Sequence, residues 1–339
     1  MKQKVNIGVI GAGRIGRLHT QNLVMRVPNA QVLCIADINK DAAEQCAIEY
    51  EVPKIVEDYR MILDDRNIDA VVICSSTDTH AQIIGEAATS GKHVFCEKPI
   101  DYNLARIDTA LAKVASAGIK LQIGFQRRFD PNFLRVHRLV HEGRLGDPYV
   151  LRITSRDPQP SSIEYIKSSG GLFLDMMIHD FDMARFLSGK EVVEIYATGR
   201  VNIDPQIGEA GDIDTAMVLM KFSSGIMGTI DCCRKSGYGY DQRVELFGSE
   251  GMARVENETP DRISIANSAS IQSELPLFFF IERYSEAYVA EIREFICCIL
   301  EDKIPLVSGL DGRIPVVLGK AAKKSMVENR PVTITGNEQ

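Results

Sequence analysis

No stretch of this chain is apolar over anything near the ~20 residues that a helix needs to cross a bilayer, which excludes a membrane-spanning helix. Positive charge is not in excess either. Against 46 Asp and Glu stand 39 Lys and Arg, a formal net charge of -7, which argues against nucleic acid or an anionic membrane as partner. Eight cysteines are present, yet none forms Cys-x-x-Cys and no histidine spacing beside them suggests zinc, so no metal is expected. Cys34 and Cys74 sit in apolar runs, where a thiol behaves as a small hydrophobe. Reduced thiols in a cytoplasmic protein are the simplest account. A secretory leader is not indicated: Lys2 and Lys4 precede an apolar stretch, but Gly11, Gly13 and Arg14 interrupt it and no small-residue cleavage site follows. Internal repeats and low-complexity segments are also missing.

What is there is ordinary globular material, 45% hydrophobic and 25% charged, at a length that suits two domains. It is organised around residues 5–16. An apolar run (Val5, Ile7, Val9, Ile10) ends in Gly11-Ala12-Gly13-Arg14-Ile15-Gly16, and helix-compatible sequence follows to Val27. A strand, a tight turn and a helix start form the setting in which Gly-x-Gly-x-x-Gly cradles a dinucleotide. Gly11 permits the turn, Gly13 leaves room for a pyrophosphate, and Gly16 allows close packing of the helix. Backbone N–H groups around Arg14 and Ile15 then face the phosphates at the helix N-terminus. A second apolar run, 31–36, ends in Asp37, 21 residues after Gly16, where an acid accepts hydrogen bonds from ribose hydroxyls. Ile38 follows, where a 2′-phosphate would want Arg or Lys. The expected cofactor is NAD.

Further apolar runs at 68–74, 92–96 and 120–124 alternate with helical segments at 41–50, 81–90 and 104–117. This predicts a doubly wound Rossmann domain over 1–125. Ligands lie at the C-terminal ends of such strands. That rule nominates Ser75, Ser76 and His80 after one strand, and Glu97 and Lys98 after the next, as cofactor contacts. From 149 the texture changes to alternating runs at 149–156, 191–201, 214–222, 226–234, 242–247 and 252–256, with one helix at 172–188. A C-terminal α+β domain with a large, mostly antiparallel open sheet is expected over 126–339, its helices at 282–301 and 309–328 packing back on the first domain. The fold class is α/β.

Glu97-Lys98-Pro99, taken with Gly170-Gly171 and the run from Asp175 to Asp180, resembles the Gfo/Idh/MocA oxidoreductase family over essentially the whole chain. Ser155-Arg156-Asp157-Pro158, Tyr165-Ile166 and Ile178-His179-Asp180-Phe181-Asp182 look like its inositol 2-dehydrogenases, and Gln126-Arg127-Arg128-Phe129-Asp130 is consistent with them. The resemblance implies oxidation of myo-inositol to its 2-keto form, with Gln126 among the cofactor contacts. It also implies a cis Lys98-Pro99 bond and a homotetramer built from sheet-to-sheet dimers. It assigns catalysis to Lys98, Asp175 and His179.

The chemistry reads the same way from the residues. Oxidising a secondary alcohol sends hydride to nicotinamide and needs a base for the O–H proton. His179 is the natural base. Asp175, four residues earlier on the predicted helix, shares its face and serves to fix the imidazole or bind a substrate hydroxyl. Lys98 supplies positive charge beside the developing alkoxide. Arg127 and Asp157 are candidate partners for a polyol's hydroxyls, and Tyr238 is a further contact candidate. Two other readings stay open at this point. One is a dehydrogenase of another polyol or pyranose (scyllo- or chiro-inositol, glucose), the other a nucleotide-sensing regulator without catalysis.

Overall fold

The computed structural model describes residues 4–335, which form two compact units. The first comprises the chain up to Phe129 together with Glu286–Ile314, and the second Asp130–Ser285 with the segment from Pro315 onward. The boundary thus runs four residues beyond the expected 125, and a C-terminal segment returns to the first unit.

In the first unit the order is β1 (Val5–Ile10), α1 (Arg14–Arg26), β2 (Ala30–Ala36), α2 (Lys40–Glu49), β3 (Ile55–Val56), α3 (Arg60–Leu63), β4 (Ala70–Ile73), α4 (Thr77–Thr89), β5 (His93–Glu97), α5 (Leu104–Ala117) and β6 (Leu121–Gly124). The six strands are parallel, in the order β3-β2-β1-β4-β5-β6. The order reverses between β1 and β4, and a crevice for ligand opens at such a point. All four residues of β4 are fully buried, because helices cover both faces of a parallel sheet. Turn chemistry sets the helix ends. Asn39 and Asn103 side chains accept backbone N–H groups at the starts of α2 and α5, and Gly118 closes α5 in a left-handed conformation. A 3-10 turn, Gln126–Phe129, ends this part of the chain.

The second unit contains α6 (Pro131–His141), β7 (Pro148–Arg156), α7 (Ile163–Ser168), α8 (Leu172–Asp175), α9 (Met177–Ser188), β8 (Val192–Arg200), α10 (Pro205–Glu209), β9 (Thr215–Phe222), β10 (Met227–Cys233), β11 (Asp241–Gly248), β12 (Gly251–Val255), the short hairpin β13 (Ser264–Ala266) and β14 (Ile271–Ser273), and α11 (Phe280–Arg283). The chain ends in α12 (Ser285–Leu300), α13 (Gly309–Glu328) and β15 (Val332–Thr333). Seven strands form one sheet in the order β12-β11-β7-β10-β9-β8-β15. Only β7 and β10 run parallel; the other neighbours are antiparallel. Alternation divides the two faces. Ala216, Val218, Met220 and Phe222 of β9 are buried, whereas Met217 and Leu219 are exposed, as are Met227, Phe247 and Met252 on neighbouring strands. The buried face meets α9, every residue of which is itself buried.

The expected helix over 172–188 is two helices. They join at Met176, where His179 N–H reaches the Met176 carbonyl three residues back, at 3.3 Å.

Candidate active site

The glycine turn is built as its sequence requires. Gly11 has φ +100°, and a Cβ there would stand 2.6 Å from the Cys74 carbonyl, because the turn after β1 abuts the end of β4. A Cβ on Gly16 would collide with the Gly11 carbonyl. Over Gly13 nothing lies within 4 Å of where a Cβ would be. The first turn of α1, starting at Arg14 and Ile15, carries neither a capping side chain nor an acid. Open space above uncapped N–H groups fits a pyrophosphate.

Asp37, one residue past β2, accepts the Ala12 N–H at 2.6 Å and the Asn39 N–H at 2.8 Å. It therefore braces the glycine turn, and a carboxylate's four acceptor sites leave capacity for further donors. Ile38 beside it is 89% exposed. Ser75 hydrogen-bonds Thr79 at 2.7 Å, and Ser76 is the N-cap residue of α4. His80 is a strut. Its Nδ1 lies 2.8 Å from the Pro99 carbonyl and its Nε2 2.9 Å from that of Ser75, tying the ends of β4 and β5 together. Burial pushes its pKa down against the pull of those two carbonyls. The first unit thus gathers the Gly11 turn, Asp37, Ser75, Ser76, Glu97, Lys98 and, just beyond β6, the buried Gln126 and Arg127 at its C-terminal strand ends. Lys98-Pro99 is cis.

Asp175 and His179 belong to the second unit. Asp175, at the end of α8, accepts the Tyr165 hydroxyl at 2.9 Å and Arg234 Nη1 at 3.1 Å. Arg234 Nη2 reaches Asp212 at 3.1 Å, and the other Asp212 oxygen accepts the Leu172 N–H at the start of α8. One wholly buried guanidinium therefore bridges two acids, and their charges outweigh the burial that would lower its pKa. Gly171 makes room: its φ is +82°, and a Cβ would lie 2.7 Å from Asp212. His179 stands in the first turn of α9, 9% exposed.

Asp157 continues from β7, its N–H bonded to Cys233 and its carbonyl to Ser236. Tyr238 sits in a polar network on the sheet, its hydroxyl donating to Asp241 at 2.5 Å and accepting from Arg156 at 2.9 Å. Reading the sequence did not find Arg234 or Asp212. The usable signals were an arginine directly after an apolar strand and the Asp212-Ile213-Asp214 acids before the facing one. The fold also collects His19, Glu97 and Glu291, whose ligand atoms lie within 4.8 Å of one another, where sequence spacing suggested no metal cluster.

Residues 5–125 match the oxidoreductase family with an NAD-binding Rossmann fold, and residues 133–254 the GFO/IDH/MocA C-terminal domain. The chain is 44% identical to the myo-inositol 2-dehydrogenase of Thermotoga maritima over 97% of its length and 98% of that protein. It is 43% identical to the inositol 2-dehydrogenase of Rhizobium meliloti over 97% of its length and 99% of that protein. The structure of a scyllo-inositol dehydrogenase from Lactobacillus casei with bound NAD(H) and scyllo-inositol superposes with TM-score 0.92 at 30% identity, over 97% of this chain and 99% of that one. With the glycine turn, Asp37 and both domain matches in place, the chain belongs to the Gfo/Idh/MocA family of NAD-binding oxidoreductases.

Proposed function

We propose that this chain is a cytoplasmic NAD-dependent inositol 2-dehydrogenase that oxidises myo-inositol to 2-keto-myo-inositol. The observation that carries the reading is the fixed Asp175, held by Arg234 beside the start of the helix bearing His179, in a chain 43–44% identical to two inositol dehydrogenases along nearly its whole length. Bound NAD supplies the hydride acceptor at its nicotinamide ring. His179 takes the proton of the reacting hydroxyl, which leaves as the C–H pair departs as hydride and the C–O bond becomes a carbonyl. Lys98 stabilises the oxygen's negative charge in that step. Asp175, pinned by Arg234 and Tyr165, orients a substrate hydroxyl or the imidazole. Arg127, Asp157 and Tyr238 stand as further polyol contacts.

NADH formation at 340 nm, with NAD or NADP across a panel of inositols and aldoses, tests this. The highest turnover is expected with NAD and myo-inositol. Activity confined to scyllo-inositol, the ligand of the Lactobacillus casei relative, moves only the substrate assignment. Silence on every polyol removes the enzyme reading and favours a nucleotide sensor. The exposed apolar row Met217, Leu219, Met227, Phe247 and Met252 supports a homotetramer in which a second copy covers this sheet face. Sedimentation equilibrium should give four times the chain mass, and a monomer there would oppose it.

A further inference from the structure

The residue before Lys98 belongs to a buried ionisable cluster that the proposed chemistry does not use. His19 of α1 sets its Nε2 2.7 Å from Glu97 Oε1 and 4.0 Å from Glu291 Oε1 of α12. The side chains of His19 and Glu291 are wholly buried, and that of Glu97 is 13% exposed. Phe95 and Tyr288 stand edge-on to the His19 ring at 5.0 and 5.8 Å. Gly124 leaves just enough space, since a Cβ there would be 3.0 Å from the Glu97 carboxyl. Neither oxygen of the Glu291 carboxyl has a hydrogen-bond partner in the protein. The nearby Gln122 gives its amide to the Glu291 backbone carbonyl instead, at 2.9 Å.

A buried carboxylate without a donor is too costly to persist as the anion, and a second carboxyl close by raises that cost further. Burial first, and the charge of Glu97 second, push Glu291 well above the usual range. A divalent cation is the rival occupant, because the three ligand atoms span only 4.8 Å. Metal-bound imidazoles, however, normally give their other N–H to an acceptor. His19 Nδ1 is buried with none, and Nε2 already lies at hydrogen-bond distance from Glu97. A proton fits better.

We propose that Glu291 is a positioning residue held as the neutral acid against the His19–Glu97 pair, beside the nicotinamide end of the cofactor. The cofactor side rests on the reading that NAD lies at these strand ends. His19 donates its Nε2–H to Glu97 and fixes that carboxylate. The titratable groups facing Glu291 are Glu97 on β5, His19 on α1 and the Cys74 thiol after β4, itself raised by burial. Ionising Glu291 at alkaline pH sets a second charge beside Glu97 and weakens the hold on NADH, whose ring brings no compensating positive charge.

Two measurements on the full-length protein test this, each comparing wild type with Glu291→Gln. The first is unfolding temperature from pH 5 to 8. In the unfolded chain Glu291 ionises near ~4.3, while in the folded protein it stays protonated. Wild-type stability at this site is therefore full at low pH and is lost as pH rises, and Gln is exempt. The advantage of Glu291→Gln must grow with pH; a constant difference overturns the neutral acid whether or not NAD binds. The second is NADH affinity, read by its fluorescence enhancement from pH 6.5 to 9.5. At pH 7 the variant should bind within about threefold of wild type, and toward pH 9.5 wild type should lose at least about fivefold more affinity than the variant. Parallel profiles, or a variant weakened tenfold or more at pH 7, overturn the proposal. Micromolar Zn²⁺ that alters NADH binding in wild type but not in Glu291→Gln puts a metal in the proton's place and also overturns it. A growing thermal advantage with no NADH binding at any pH supports the buried neutral acid and rejects only the cofactor placement.

Discussion

Replacing Lys98 by Met, or His179 by Ala, should lower turnover at least ~10²-fold while the protein stays folded and binds NADH, the scale of losing an acid–base group. Lys98 follows a strand end, and His179 opens α9 with its side chain buried, so the unfolding temperature of each variant is measured beside its turnover. The loss should fall on kcat, because proton transfer and charge stabilisation act in the transition state more than in binding. A His179→Ala enzyme should also lose the acidic limb of the pH–rate profile, where the wild-type base is protonated. Stopped-flow NADH formation with myo-inositol checks both variants. Rates near wild type in both would remove these residues from the chemistry, while a loss confined to KM would make them binding groups.

The first sheet was legible because its strands are short, mainly apolar runs flanked by turn residues, interrupted by single polar residues such as Asn6, Gln31 and Gln122, and burial on both faces favours that composition. The glycine turn and Asp37 were legible because their work is local: φ at Gly11, close approach at Gly16, and an acid at a fixed distance along the chain. The second sheet could be read from alternation, but not the parallel pairing of β7 with β10, which depends on partners about 80 residues apart. The break at Met176 escaped for a related reason. No proline or glycine marks it, and Asp175 takes its hydrogen bonds from Tyr165 and Arg234, both remote from its own helix. His80 shows what position alone leaves out: both its ring nitrogens lie at hydrogen-bond distance from the backbone carbonyls of Pro99 and Ser75, an arrangement set by the tertiary fold.

Arg234→Met should be the most destabilising of the substitutions considered, by about 3–5 kcal/mol, the usual cost of breaking a buried ion pair from one side. The guanidinium is 1% exposed and its two acids 9% and 10%, so solvent does little to screen the pair of carboxylates left behind. At ~2–4 °C per kcal/mol for a domain of this size, the unfolding temperature should drop by on the order of 10 °C. Lys is not expected to rescue it, because a single ammonium lacks the planar fork that reaches Asp175 and Asp212 on separate elements. Adding Asp175→Asn and Asp212→Asn to Arg234→Met removes the uncompensated charges and should return much of the stability without returning turnover. Calorimetry and NADH formation on the single and triple variants separate the two roles. Recovery of both together would mean that Arg234 supports the fold alone. Stability without activity would mean that the Arg234–Asp175 pair serves the reaction as well as the fold.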